Sequence, residues 1–145
     1  MGRKENLTPR WEHFQHVADM GLRGYGATMA EAFVQTALAL TAVITDLDQV
    51  TPSIPVQVAC EGEDQEILLV DWLNAIIYEM ATRNMLFSRY AVEMDGARLS
   101  GTMWGEEVDV PKHAPAVEVK GATFTALQVR RGENGLWIAQ CVVDV

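Results

Sequence analysis

Between Glu66 and Asn84 the apolar residues Leu69, Trp72, Leu73, Ile76, Ile77 and Met80 recur at steps of three and four. That spacing predicts a helix with a wide apolar stripe, of the kind that lies on a sheet, with Asp71 and Asn74 outside the stripe. The rest of the chain supplies the sheet. "IPVQVAC" (54–60) alternates apolar and polar, "LFSRYAVEM" (86–94) and "ARLSGTMW" (97–104) flank an Asp95-Gly96 turn, and "ALQVRR" (126–131) and "LWIAQCVV" (136–143) flank the Gly-rich "GENG". Period-two runs joined by tight turns are the signature of antiparallel hairpins. A second helix opens at Thr28, where "TMAE" has capping-box spacing from Thr28 to Glu31, and continues through Phe33, Ala37, Leu40 and Ile44 to end before Pro52. The expected architecture is α/β in the α+β sense: a two-layer sandwich with a largely antiparallel sheet and two helices packed on one face. No repeat or linker divides residues 1–145, so one domain is expected, with residues 1–10 flexible. "GEEVDVPKHAPAVE" (105–118) is polar and carries proline, and reads as a long surface loop.

Charge narrows the function. The net charge is -9, which argues against electrostatic attraction to nucleic acid or an anionic membrane, since both require lysine and arginine to displace counterions. No apolar run approaches the roughly 20 residues of a membrane span, and the start "MGRKENLTPRW" lacks a signal peptide's apolar stretch. A cytoplasmic location is expected. Cys60 and Cys141 form no C-x-x-C pair and read as small core residues.

The candidate chemistry lies at the two ends of the chain. In "HFQHVADMGLRGYG" (13–26), Asp19 stands between an apolar approach and a glycine-rich exit; taken alone it reads as a turn residue bonding its own backbone. The chain ends "CVVDV", with Asp144 beside the terminal carboxylate of Val145. Two neighbouring anions need a cation or abundant water. If the last strand lies beside the first, Asp19, Asp144 and Val145 supply three hard oxygen ligands suited to calcium, magnesium or manganese rather than zinc. A zinc triad of His13, His16 and Asp19 is the weaker alternative. On a single strand His13 and Asp19 would share one face and His16 would point to the other, which makes His16 a packing or supporting residue. Lys120, in the apolar run "EVKGAT", reads either as a snorkelling surface lysine or as a charge aimed at the acidic site. Arg130 and Arg131 read as the solvated start of a turn.

Taken together, "HVADMGLRGYG", the "ILLVDWLNAIIYE" helix followed by "LFSRY", "GEEVDVPKHAPAVEVKGATF" and the terminal "VVDV" resemble the archease family over nearly the whole chain after residue ten. The resemblance implies a small cytoplasmic protein that assists a GTP-dependent tRNA-splicing ligase, promoting guanylylation of the ligase and its multiple turnover without being a catalyst itself. It implies a divalent metal at Asp19, Asp144 and Val145, with calcium first and manganese or magnesium as alternatives, and a functional role for Lys120, with His16 beside the site. The partner expected is the ligase, or else a tRNA methyltransferase for which the protein would act as a chaperone; direct nucleic-acid binding is not expected. A small metal-dependent hydrolase is the reading from a different class, and it lacks an evident nucleophile or general base. This sequence departs from the family's pattern at Val17, Phe124 and Thr125, where the family often has Thr, Tyr and His.

Overall fold

The computed structural model describes residues 8–145. In chain order the elements are β1 (Arg10–His16), β2 (Asp19–Gly26), α1 (Met29–Ile44), a 3-10 turn (Leu47–Gln49), β3 (Ile54–Glu61), α2 (Gln65–Arg83), β4 (Met85–Asp95), β5 (Arg98–Glu107), α3 (Val110–His113), β6 (Gly121–Ala122), β7 (Gln128–Arg131) and β8 (Trp137–Asp144). The class is α+β and every strand pair is antiparallel. The strands divide between two sheets. One runs β1-β2-β8-β6 with β7 also pairing to β8, and the other runs β3-β5-β4. Which runs pair is set by contacts far apart in sequence, so local alternation shows the strands and not the division. Of the flexible N-terminal stretch expected over residues 1–10, residues 1–7 lie outside the described residues, and Arg10 already belongs to β1.

The helices start where their caps dictate. Thr28 Oγ1 accepts the Glu31 amide at 3.1 Å while Glu31 Oε1 accepts the Ala27 amide at 2.9 Å, a reciprocal arrangement that satisfies orphan donors of the first turn. Asp64 does the same for α2, accepting the amides of Glu66 and Ile67. Asn84 ends α2 in the left-handed region at φ 53, its amide bonded to the Met80 carbonyl. Each helix touches strands of both sheets: α1 packs on β1, β2, β8 and β4, and α2 on β3, β4, β6 and β7. The core between them holds Phe33, Leu40, Leu69, Trp72, Leu73, Ile76, Phe87 and Met103, all fully buried. Burying one such side chain contributes roughly 1.5–3 kcal/mol. Polar atoms inside this layer are paired: Trp72 Nε1 donates to the Phe33 carbonyl at 3.1 Å, and the Thr41 and Tyr90 hydroxyls share a bond of 2.7 Å beside the Phe87 carbonyl.

Close packing of α1 fixes β2. A Cβ on Gly24 would collide with the Ala32 carbonyl and the Thr36 backbone, so the helix backbone rests directly on this strand. Three expectations are corrected. The β4–β5 hairpin turns at Gly96-Ala97, one residue later than Asp95-Gly96, because Asp95 still pairs with Arg98 and it is Gly96 that takes φ 60. The stretch 105–118 is not simply a loop: its first residues complete β5, Asp109 caps α3, and the Ala116 amide bonds the Ile44 carbonyl at 2.8 Å. His13, His16 and Asp19 do not share a strand, since the chain reverses at Val17-Ala18 and the third of them begins β2.

Candidate functional site

The β1–β2 reversal decides the geometry. Directly opposed residues of an antiparallel pair point to the same face, and His16 is the register partner of Asp19. His16 therefore lies on the face of Asp19, contrary to the single-strand expectation, and His13 lies on the other. His13 Nε2 donates to the Ala39 carbonyl of α1 at 2.8 Å, and its ring stacks against Trp11 with centroids 5.0 Å apart. That removes His13 from any zinc triad.

On the other side of β2, Met20 pairs with Val143 of β8, and the same antiparallel register carried one step further sets Asp19 across from Asp144. Asp144 is in turn the partner of Gly121 in β6, and its carbonyl accepts the Lys120 amide at 2.8 Å. One end of the sheet thus reads, strand by strand, His16, Asp19, Asp144 and the Lys120-Gly121 step. The last strand lies beside the second rather than the first, and Asp19 and Asp144 follow the Met20–Val143 pair at one end of those two strands. Val145 packs against the core cluster at the same edge. The face that carries His16, Asp19 and Asp144 is the one turned away from α1, where Phe14, Arg23 and Gln140 also lie.

That outer face also holds a built charge network, two same-face rows along β2 from Asp19. Arg23 donates to Glu12 at 2.6 Å and to Gln140 at 2.8 Å, and lies over the Phe14 ring at 4.5 Å, while the Tyr25 hydroxyl donates to Glu12 at 3.1 Å. Desolvation works to raise the Glu12 pKa, but the bonds from Arg23 and Tyr25 outweigh it and hold the carboxyl below its ordinary value. Arg23 is thereby committed to Glu12. Asp19 and Asp144 have no ion-pair partner among the described residues, nor does Lys120. Asp144 and Lys120 are exposed and Asp19 is half-buried.

The donor set is chemically coherent for a hard divalent cation. Two carboxylates on adjacent strands and a third at the next residue give oxygen ligands only, which suits calcium, magnesium or manganese. No group of three His, Cys, Asp or Glu side chains able to hold a metal occurs among the described residues. The thiols are no alternative. Cys141 is fully buried, with desolvation pushing its pKa up to about 11 and its Sγ donating to the Thr123 carbonyl; burial likewise raises Cys60.

Sequence reasoning missed two supporting groups. Asn74 Oδ1, on the polar side of α2, accepts the Ala122 amide at 2.9 Å and so holds β6 against the helix. His113 is buried in the stretch expected to be a surface loop. The position of Asn74 just off an apolar stripe, facing a short strand, was the available signal for the first. Nothing local distinguishes the second.

A two-sheet, wholly antiparallel α+β fold with Asp19 and Asp144 at one strand end defines the class. The chain matches the archease protein family over residues 11–145, and it belongs to that family. It is 38% identical over 140 residues to protein archease of Pyrococcus furiosus, covering 94% of this chain and 99% of that protein. It is 37% identical over 139 residues to protein archease of Methanopyrus kandleri, covering 93% and 99%. The solution structure of Methanobacterium thermoautotrophicum protein 1598 superposes with a TM-score of 0.82 at 34% identity, over 93% of this chain and 98% of that one. A Thermotoga maritima archease, described as a possible chaperone, shares the fold with a TM-score of 0.62 at 16% identity, over 100% and 98%. Among the described residues no helix is long and apolar enough to cross a membrane.

Proposed function

We propose that this protein activates a GTP-dependent tRNA-splicing ligase, promoting its guanylylation and repeated turnover, and is not itself a catalyst. The observation that carries the reading is the pairing of Met20 with Val143, which brings Asp19 and Asp144 to the same strand end, with no cationic side chain paired to either among the described residues. Asp19, Asp144 and the Val145 carboxylate would hold a divalent metal, calcium first and manganese or magnesium as alternatives. When bound, such an ion neutralises charge on phosphate oxygens. This chain's own residues then have distinct tasks. The two aspartates and the terminus fix the acidic edge, Lys120 offers an unpaired ammonium to an incoming anion, and His16 stands across from Asp19 where a partner's polar group can meet it. Guanylylation gathers charge on a triphosphate, so an edge that supplies cations to a bound nucleotide fits that step. A net charge of -9 fits a partner whose RNA and nucleotide sites are basic.

The possible-chaperone description of the Thermotoga maritima relative keeps a second reading in view, in which the partner is a tRNA methyltransferase. A pull-down from the native cell separates the two by which enzyme is recovered. The direct test is the yield of ligase-guanylate under multiple-turnover conditions with wild type, Asp19→Ala, Asp144→Ala and Lys120→Ala. The reading expects each folded variant to lose stimulation, and full stimulation by all three would reject the edge as the active element. RNA cleavage by the pure protein that disappears in Asp144→Ala would favour the hydrolase reading instead.

A further inference from the structure

The last strand ends with less support than it begins with. β8 runs from Trp137 to Asp144, and the last register partners it shares with β2 are Met20 and Val143. Chain ends fray unless something holds them. On the other side of β8 the holding falls to β6: Gly121 pairs with Asp144, and the Lys120 amide donates to the Asp144 carbonyl at 2.8 Å. Yet β6 has only the residues Gly121 and Ala122, shorter than strands that keep their own place.

What fixes β6 comes from α2. The Thr123 amide donates to the Val142 carbonyl at 2.9 Å, and in an antiparallel ladder the residue one step earlier turns its amide the other way. That amide, on Ala122, points off the sheet edge and is accepted by Asn74 Oδ1 at 2.9 Å. Asn74 Oδ1 also lies 3.6 Å from where a Cβ on Gly121 would sit, so the carboxamide runs alongside both residues of β6. The same device serves β7 earlier on the helix, where Glu66 Oε2 accepts the Val129 amide at 3.3 Å. α2 thus sets two side-chain acceptors about 12 Å apart along an edge where another strand would otherwise supply carbonyls. Its opposite face, with Trp72, Leu73 and Ile76, is fully buried, so these acceptors stand on a rigid base.

We infer that Asn74 is a positioning residue for the acidic edge: its bond to Ala122 holds β6 in register, and β6 in turn orders Asp144 at the end of the chain. The inference rests on the reading of Asp144 and the Val145 carboxylate as metal ligands. A ligand that is ordered before the metal arrives loses less conformational entropy on binding, which raises affinity. The bond is exposed and lies outside the core, so its effect on the edge is separable from its effect on the fold.

The test compares wild type, Asn74→Leu, Asn74→Asp and Glu66→Ala by amide hydrogen exchange, calcium titration and melting. Leucine keeps the helix and removes the acceptor, whereas aspartate keeps the acceptor. In Asn74→Leu, exchange at the Lys120 and Ala122 amides quickens about fivefold and the calcium dissociation constant rises about fivefold, the change expected for loss of one hydrogen bond. Its melting temperature stays within about 3 °C of wild type. Asn74→Asp returns exchange and calcium affinity to within about twofold of wild type. Glu66→Ala quickens exchange at Val129 and leaves Lys120 and calcium affinity unchanged. Wild-type exchange at Lys120 in Asn74→Leu overturns the inference, and so does quickened exchange with unchanged calcium affinity. An equal loss in Asn74→Asp overturns it by tracing the effect to packing rather than to the acceptor. Exchange that quickens over the whole molecule, with a lower melting temperature, overturns it by making Asn74 a residue of general stability. A wild type that takes no calcium removes the metal reading and this inference with it, an outcome distinct from a wild type that binds and an Asn74→Leu that binds equally well.

Discussion

Two acidic places in the molecule have opposite surroundings. Glu106, at the end of β5, receives a bond from Lys112 Nζ at 2.7 Å, from the Thr51 amide at 2.9 Å and from His113 Nε2 at 2.8 Å. His113 Nδ1 accepts the Asp109 amide at 2.9 Å, which leaves the ring proton on Nε2 for Glu106, and its carbonyl accepts the Thr45 hydroxyl at 2.6 Å. Every group in that cluster is answered by another, and together they tie 105–116 to the end of α1 and to the segment after the 3-10 turn. Asp19 and Asp144 have no ion-pair partner among the described residues. A carboxylate is a clamp in one place and lacks an ion pair among the described residues in the other, and the difference lies in which cations the fold brings to it. Polar, proline-bearing sequence suggested that 105–118 was a long surface loop; bonds through Glu106, Lys112 and His113 tie it to the body of the protein.

The contrast is broken most sharply at His113. Replacing it with alanine empties a buried position and takes one partner each from Glu106 and the Asp109 amide, and stability should fall by about 2–4 kcal/mol. A denaturant melt checks the loss, and calcium affinity should be unchanged within error because the acidic edge lies elsewhere. The next effect is a pH dependence. The Lys112 bond, followed by those from the Thr51 amide and His113, pulls the Glu106 pKa from 4.5 down to about 2. A carboxyl depressed in the folded state contributes stability that is present above pH 4.5 and is lost as the pH falls through about 2. Melting temperature followed from pH 6 to pH 2 should therefore drop less steeply in Glu106→Gln than in wild type across roughly that window. A parallel pair of curves would show that Glu106 gains nothing from its partners. The smallest effect belongs to the open site, where Asp19→Ala and Asp144→Ala should change stability by no more than about 0.5 kcal/mol in the absence of metal. A loss of several kcal/mol in either would make it a structural residue like Glu106.

What the sequence could disclose follows the range of the interactions. The capping box of Thr28 and Glu31 and the stripe through Trp72 are local, and both appear where the spacing places them. The alternation in β3, β4, β5 and β8 is local too, and the strands are where it predicts. The reversal at Val17-Ala18 was hidden because valine is among the residues least suited to φ 50, so the histidines and Asp19 read as one segment and His16 was assigned to the wrong face. Four residues of α3, capped by Asp109 and containing Pro111, are too few for a periodic signal. The pairing of Glu106 with His113 is short in sequence yet depends on that turn of helix, so the buried histidine could not be told from a surface one. The approach of β8 to Asp19 was legible only as a condition, that the last strand lie beside the first, and long-range register places it beside the second instead.

The most direct test of the difference between the two acidic places is the shift in melting temperature on adding calcium, measured on wild type, Glu106→Gln and Asp144→Ala. A ligand at one hundred times its dissociation constant stabilises by about 2.7 kcal/mol, which for a chain of this size is a shift of roughly 5–10 °C. Wild type should show that shift; Glu106→Gln should start lower and shift by the same amount; Asp144→Ala should start with wild type and fail to shift. Equal shifts in wild type and Asp144→Ala, or a shift lost in Glu106→Gln alone, would contradict the assignment of the open carboxylates as the site and the paired one as the clamp.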